Sequence, residues 1–323
     1  MIDPLSLSAE DILKSRALDI FPNENEMAAI FKKLAKRWHP DTSSGDTRVF
    51  SDINSKYQAA QKAWANGGYV SSLKIGSTIF PFMYESRFEM GELYVCPRHI
   101  IWAVKRDWDD LAKQWLEVIK KYKFPNDDVK SKIVPHIPKN SHVKAYKDRA
   151  YVIIDRPYDL IRCADILRSE GPFDAKHMAW TISRAYNLCG FLNYANIRHN
   201  DISVETFFIE PASHRGALLG GWFYAGAPKA LAVPSRTSHL ISLDAAAAHD
   251  AQIKLMGRQL LGIPNAAKVH SSNIPAALKQ WLLSAPLKSI HEAETNWKKI
   301  LKDSFGDPKF IEWKLETSKI YPN

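Results

Sequence analysis

Two His-x-Asp triplets, His39-Pro40-Asp41 and His199-Asn200-Asp201, each set an imidazole beside a carboxylate, groups that titrate or carry charge near neutral pH. In the first, Pro40 fixes its own φ and has no N–H, so it stops the preceding helix and presents His39 and Asp41 at the mouth of a polar loop, Thr42 to Thr47. By itself such a triplet is a helix stop before a solvated loop. The second follows a long helical pattern and precedes a short apolar run, Phe207-Phe208-Ile209. Cys96, Cys163 and Cys189 are odd in number and widely spaced, with no CxxC pair, which indicates neither a disulfide framework nor a zinc site.

The elements around the first triplet give it a context. Met27, Ile30, Phe31, Leu34 and Trp38 recur at helical spacing before it. Val49, Phe50, Ile53, Tyr57, Ala60 and Trp64 do so after it. The two stripes predict an antiparallel helical hairpin with His39-Pro40-Asp41 at its tip. An aromatic, Leu, His-Pro-Asp, a short polar loop and then Phe-x-x-Ile-x-x-x-Tyr resembles the J-domain of the DnaJ co-chaperones, through Phe31, Leu34, His39 to Asp41, Phe50, Ile53 and Tyr57. The chain departs from that pattern in its first helix, expected over Ala9 to Phe21, which has Ile12, Leu13, Leu18 and Ile20 but no Leu-Gly pair. It departs again at Thr42 and Ser43, where basic residues or Asn are common. The resemblance implies that Phe31, Lys32, Lys33, Lys36, Arg37, His39, Pro40 and Asp41 bind a DnaK-type chaperone of the 70 kDa heat-shock family. The basic helix would dock on an acidic surface and the triplet would promote ATP hydrolysis by the partner.

Ala65-Asn66-Gly67-Gly68 is turn-prone and divides the chain. Beyond it, Tyr69 to Met83 and Glu92 to Lys105 alternate as strands, the second turning at Cys96-Pro97-Arg98-His99. Asp107 to Tyr122 reads as a helix, and Ile133 to Val143 and Ala150 to Asp155 read as strands. Helical patterns over Cys163 to Leu167 and Ala175 to Ala195 then lead into the second triplet, the apolar strand and Ala217-Leu218-Leu219-Gly220-Gly221-Trp222. Asp250 is expected to open a helix running through Gly257. In this order, Ser71 to about Phe310 resembles the protein kinase-like fold, and degenerate kinase domains fused to J-domains in particular.

That resemblance assigns a degenerate kinase site to Lys105, Glu117, His199, Asp201, Ser203, Thr206, Gly221 and Trp222. Asp201 matches the family's catalytic aspartate. Ser203 stands for a lysine, Thr206 for the metal-binding asparagine, and Gly221 for the metal-binding aspartate before Trp222. A hydroxyl and a glycine do not supply the charge that holds Mg²⁺ between phosphates. Trp102-Ala103-Val104-Lys105 mimics the lysine-bearing strand, with Glu117 as partner, but a second alignment puts Ala103 in the lysine position. Gly76 stands without the repeated glycines that would let backbone amides approach phosphates, so no phosphate loop is expected there.

The expected fold class is α+β: a J-domain helical hairpin over residues 1–68, a small β-rich lobe over 69–160 and a larger helical lobe over 161–323. The expected function is a co-chaperone that is not itself an enzyme, with a dead kinase-like half that adapts it to an unknown client. No catalytic residue, metal or cofactor is expected in the chain. A residual kinase or nucleotide-binding switch is one alternative. The net charge of +9 permits another, a nucleic-acid adaptor using Lys113, Lys120, Lys121, Lys123, Lys130 and Lys132. No apolar run spans a bilayer and no signal peptide opens the chain, so no membrane association and a cytoplasmic location are expected.

Overall fold

The computed structural model describes the chain apart from residues 1–5, 16, 22–23, 43–44, 66–70, 139, 157–159, 228–231, 308, 310–311, 316 and 322–323. The expected boundary between residues 68 and 69 lies outside the described residues, as does Ser43.

Four helices come first: α1 (Ala9–Lys14), α2 (Ala17–Ile20), α3 (Glu24–Trp38) and α4 (Thr47–Ala65). Ser8 and Asp11 form a reciprocal capping box at the start of α1. The single helix expected over Ala9 to Phe21 is in fact broken. Ser15 adopts an extended backbone, ψ 151°, with its N–H on the Ile12 carbonyl. The ammonium of Lys56 on α4 reaches the Ile12 carbonyl at 2.6 Å and that of Leu13 at 3.3 Å, satisfying acceptors that the short helix leaves open. The break lets Ile12, Ile20 and Phe21 enter one core with Met27, Leu34, Val49, Ile53 and Ala60, a cluster distinct from those of the rest of the chain.

Next, β1 (Ser71–Ile75) and β2 (Thr78–Phe82) form a hairpin that turns at Gly76, φ +64°. The one long strand expected there is thus two. A five-stranded antiparallel sheet follows: β3 (Tyr84–Phe88), β4 (Gly91–Val95), β5 (His99–Lys105), β6 (His142–Tyr146) and β7 (Arg149–Asp155), in spatial order β3-β4-β5-β7-β6. Helices α5 (Asp109–Lys120) and α6 (Asp127–Ile133) lie between β5 and β6. One face of the sheet packs Ile101, Ala103, Tyr151 and Ile153 against Ile75 and Phe80 of the first hairpin. The other packs Ile100, Trp102, Val104, Val152 and Ile154 with Ala112, Trp115 and Val118 of α5 and with the helical part of the chain. The strand expected over Ile133 to Val143 is not formed. Asn126 caps α6 by accepting the Val129 N–H at 2.9 Å, and Pro135 and Pro138 have no N–H for a ladder, so β6 begins only at His142.

The helical part contains α7 (Cys163–Glu170), α8 (Ala175–Tyr194), α9 (Ala245–Leu260), α10 (Ala266–Ser271), α11 (Ala276–Leu283), α12 (Ile290–Phe305) and α13 (Thr317–Ile320). Short strands β8 (Ile161–Arg162), β10 (Phe207–Glu210) and β11 (Arg215–Leu218) pair as one antiparallel sheet, and β9 (Arg198–His199) pairs with β12 (Ala225–Gly226). Asp244, not Asp250, caps α9, accepting the Ala247 N–H at 2.8 Å. Asp250 lies within α9 and is buried, with the Tyr186 hydroxyl at 2.6 Å, the Leu287 N–H at 2.9 Å and Lys254 at 2.8 Å. Among the described residues no helix is long and apolar enough to cross a membrane.

Candidate functional site

The first triplet sits at the tip of the α3–α4 hairpin. Phe31 stacks on Tyr57 at 4.1 Å near the middle of the hairpin, and His39 meets Phe50 edge-on at 5.0 Å at the tip, so the helices run antiparallel. The turn closes by backbone chemistry. Thr42 donates its N–H and hydroxyl to the His39 carbonyl at 2.9 and 2.8 Å, and Asp46 caps α4 through the N–H groups of Arg48 and Val49. A Cβ on Gly45 would run into the His39 carbonyl, so glycine is required by close approach. Asp41 donates its N–H to Nδ1 of His39 at 3.3 Å.

The triplet remains open to solvent: the His39 side chain is 46% and the Asp41 side chain 89% exposed. Lys32, Lys33, Lys36 and Arg37 lie at i, i+1, i+4 and i+5 and are all exposed, while Leu34 on the opposite side is buried. Phe31 is half-buried against Tyr57 and supports the basic face more than it lines it. The eight residues expected to bind a chaperone therefore run along one hairpin from the middle of α3, at Phe31, to the tip.

The second triplet is built in the opposite way. His199, Asn200 and Asp201 are all buried, and α9 holds them from below. The His199 N–H donates to Nε2 of His249 at 2.9 Å, and Gln252 bridges the His199 carbonyl and the Ile202 N–H at 3.0 and 2.6 Å. Burial pushes the His199 imidazole down to about 3, with His249 adding to the shift, and burial likewise takes His249 to about 4. Both rings are neutral at pH 7.

Around Asp201 the polar groups are spent on one another. Arg236 binds both carboxylate oxygens, through Nε at 2.8 Å and through Nη2 in a shorter contact. The Ser203 hydroxyl donates to Oδ1 of Asp201 at 3.0 Å, and the Thr206 hydroxyl donates to the Asp201 carbonyl at 2.6 Å. Thus Ser203 and Thr206 brace the loop. Arg236, His249 and Gln252 were not singled out in the sequence. The i, i+3 spacing of His249 and Gln252 on one helix hinted at a shared face, but nothing local marked Arg236.

Of the remaining expected residues, Gly221 and Trp222 adjoin His199, whereas Lys105 and Glu117 are not brought together. Ala103 and Lys105 lie on the face of β5 turned from α5, and the side chain of Glu117 pairs with Lys120 at 3.2 Å instead. Trp102 and Val104 occupy the helix-facing positions. Trp102 packs with Phe88, Trp115 and Phe223 at ring distances of 5.1, 6.3 and 6.3 Å, and Trp115 meets Phe223 at 4.7 Å. This aromatic cluster fills the space between the sheet and the Gly220-Gly221 turn, so closely that a Cβ on Gly220 would meet the Trp102 ring. Gly221 has φ +75°, and a Cβ there would lie 2.8 Å from Cε1 of His199 and 2.9 Å from Cβ of Asp201. Trp222 is buried edge-on to His199 at 4.8 Å, with its indole N–H on the Leu218 carbonyl. Gly76 turns the separate β1–β2 hairpin, and Glu89-Met90 is the turn between β3 and β4 of the five-stranded sheet.

Of the second basic cluster, Lys113, Lys120 and Lys132 are paired with Asp110, Glu117 and Asp128 on their own helices. Among the described residues no group of three His, Cys, Asp or Glu side chains is placed to hold a metal ion.

No protein-family model matches the chain, and no curated protein matches it in sequence. Among solved structures, the chain is similar to vaccinia related kinase 3, with 14% identity over 72% of this chain and 90% of that one and a TM-score of 0.46.

Proposed function

We propose that this chain is a J-domain co-chaperone whose second half is a kinase-like scaffold without phosphoryl-transfer activity. The observation that carries the first part is the solvent-open His39-Pro40-Asp41 at the tip of a hairpin whose adjoining face is basic. The partner is a DnaK-type chaperone, which binds the ATP and contributes the catalytic residues. Lys32, Lys33, Lys36 and Arg37 steer this chain to an acidic surface, and the triplet then engages the partner in a weak, salt-sensitive contact.

The kinase-like reading of the second half rests on its topology. Five antiparallel strands carry their helices between the third and fourth, and a helical part with an H-x-D loop and a β10–β11 hairpin follows. Phosphoryl transfer needs a lysine on the phosphates, metal ligands and a free acceptor carboxylate. Trp102 fills the cleft, Gly221 carries no ligand and Asp201 is bound by Arg236, all of which favour a scaffold that adapts the chaperone to a client or partner.

The test is single-turnover ATP hydrolysis by a DnaK-type chaperone. The purified chain should accelerate it and His39→Gln should remove the acceleration. Failure to accelerate any of a panel of such chaperones sinks the co-chaperone reading.

A further inference from the structure

The helical part holds a cavity of about 380 Å³ that shares no residue with either triplet. It lies between the first half of α8, the β10–β11 turn at His214 and the last turns of α12. The rings of His177, Trp180, His214 and Phe305 line it, with Ala179 and Leu301 adding apolar surface. That size and that lining suit a small molecule with a flat ring.

The walls are fixed by contacts within the chain. Trp180 donates its indole N–H to the His214 carbonyl at 3.2 Å, and the two rings lie 4.6 Å apart. The Asp174 carboxylate, which can only accept, takes the Nδ1–H of His177 at 2.7 Å, and Trp313 stacks on the same imidazole at 4.2 Å. Ser183 donates its hydroxyl to the Ala179 carbonyl at 2.8 Å and accepts the Trp297 indole N–H at 2.9 Å. The lining residues Lys176, Asp307 and Lys309 are exposed and form the mouth, where two ammonium groups stand against one carboxylate.

We propose that this cavity binds a small planar aromatic anion, its ring against the aromatic walls and its acid group at Lys176 and Lys309. The ring faces supply apolar contact area and stacking, and the lysines supply the preference for negative charge. A neutral aromatic gains the walls alone, and an aromatic cation meets two ammonium groups. Because the side chains of the walls are already held, little ordering is left for the ligand to impose. This site is independent of the co-chaperone reading, and no part of the chain is asked to leave it.

The probe is 1-naphthylacetate, titrated calorimetrically into the full chain beside its uncharged isostere, 1-naphthylacetamide. The acid should saturate one site with a Kd below about 1 mM, a modest affinity for a ligand of its size. It should bind at least about fivefold tighter than the amide at low salt, a preference that shrinks at high salt. Lys176→Ala with Lys309→Ala, both exposed positions, should erase that preference and leave binding of the amide unchanged. In nitrogen-15 spectra of the wild-type chain, the Trp180 indole N–H signal should shift with the same Kd. Absence of saturable binding, equal binding of acid and amide, a preference that survives the double substitution, or an unmoved Trp180 signal each overturns the proposal.

Discussion

Arg236 and Asp201, 35 residues apart in the chain, meet as a two-point ion pair in which the carboxylate is buried and the guanidinium closes the site above it. In the kinase-like reading, the carboxylate that would serve an acceptor hydroxyl thereby becomes a tie between the H-x-D loop and the segment before α9. Removing one partner leaves the other uncompensated. Arg236→Ala should cost about 3–5 kcal/mol in urea unfolding, and Arg236→Met with Asp201→Asn should recover most of it, because neither substituted side chain carries a charge.

Gly221→Asp, which restores the expected metal ligand in name, should not create a Mg²⁺ site. Its left-handed backbone alone costs a non-glycine residue about 1–3 kcal/mol, and its Cβ would press on His199 and Asp201. The expected result is a lower unfolding midpoint with no metal-dependent recovery. Stabilisation by Mg²⁺ would count against the scaffold reading.

ATP with or without Mg²⁺ should leave the thermal midpoint of the wild-type chain unchanged, since ligand stabilisation requires binding to the folded state. Trp102→Ala should cost about 3–5 kcal/mol, the usual loss for removing a buried aromatic ring. Saturable stabilisation of the wild-type chain by ATP would revive the nucleotide switch.

His199 and His249 give stability a pH dependence whose sign follows from their depressed values. Both are neutral in the fold down to about 3 and about 4, whereas in the unfolded chain they protonate near the ordinary value of about 6.5. The unfolded state therefore binds more protons as pH falls, so stability is full above about pH 6.5 and declines from there toward pH 4. Each ring contributes a slope of up to about 1.4 kcal/mol per pH unit. Urea midpoints between pH 7 and 4.5 should fall, and His249→Gln, whose amide oxygen can accept the same His199 N–H, should flatten the curve.

His39→Gln should abolish chaperone stimulation while leaving the unfolding midpoint within about 0.5 kcal/mol of wild type, as befits a half-exposed side chain away from the core. Loss of both activity and fold would make the triplet structural.

The hairpin of α3 and α4 was legible in the sequence because its information is local. Apolar residues recur every three or four positions on either side of a proline that stops one helix, and the partner stripe begins within a dozen residues of it. The β4–β5 hairpin, α5, α8 and the H-x-D loop were legible for the same reason. Where a local pattern had to compete with long-range partners, it failed. The first helix breaks at Ser15, where Lys56, 41 residues on, satisfies the carbonyls left open, and Ile133 to Val143 avoids strand pairing because of its prolines and the Asn126 cap. The candidate site divides along the same line. His39, Pro40 and Asp41, together with the identities of Thr206 and Gly221, are matters of residue type and are written in the sequence. That Trp102 and not Lys105 faces the cleft is a matter of strand register, and that Asp201 is held by Arg236 depends on where a distant segment returns. Only tertiary structure decides these, because a strand's alternate residues look alike until one face is covered, and an ion pair between distant residues leaves no spacing to read.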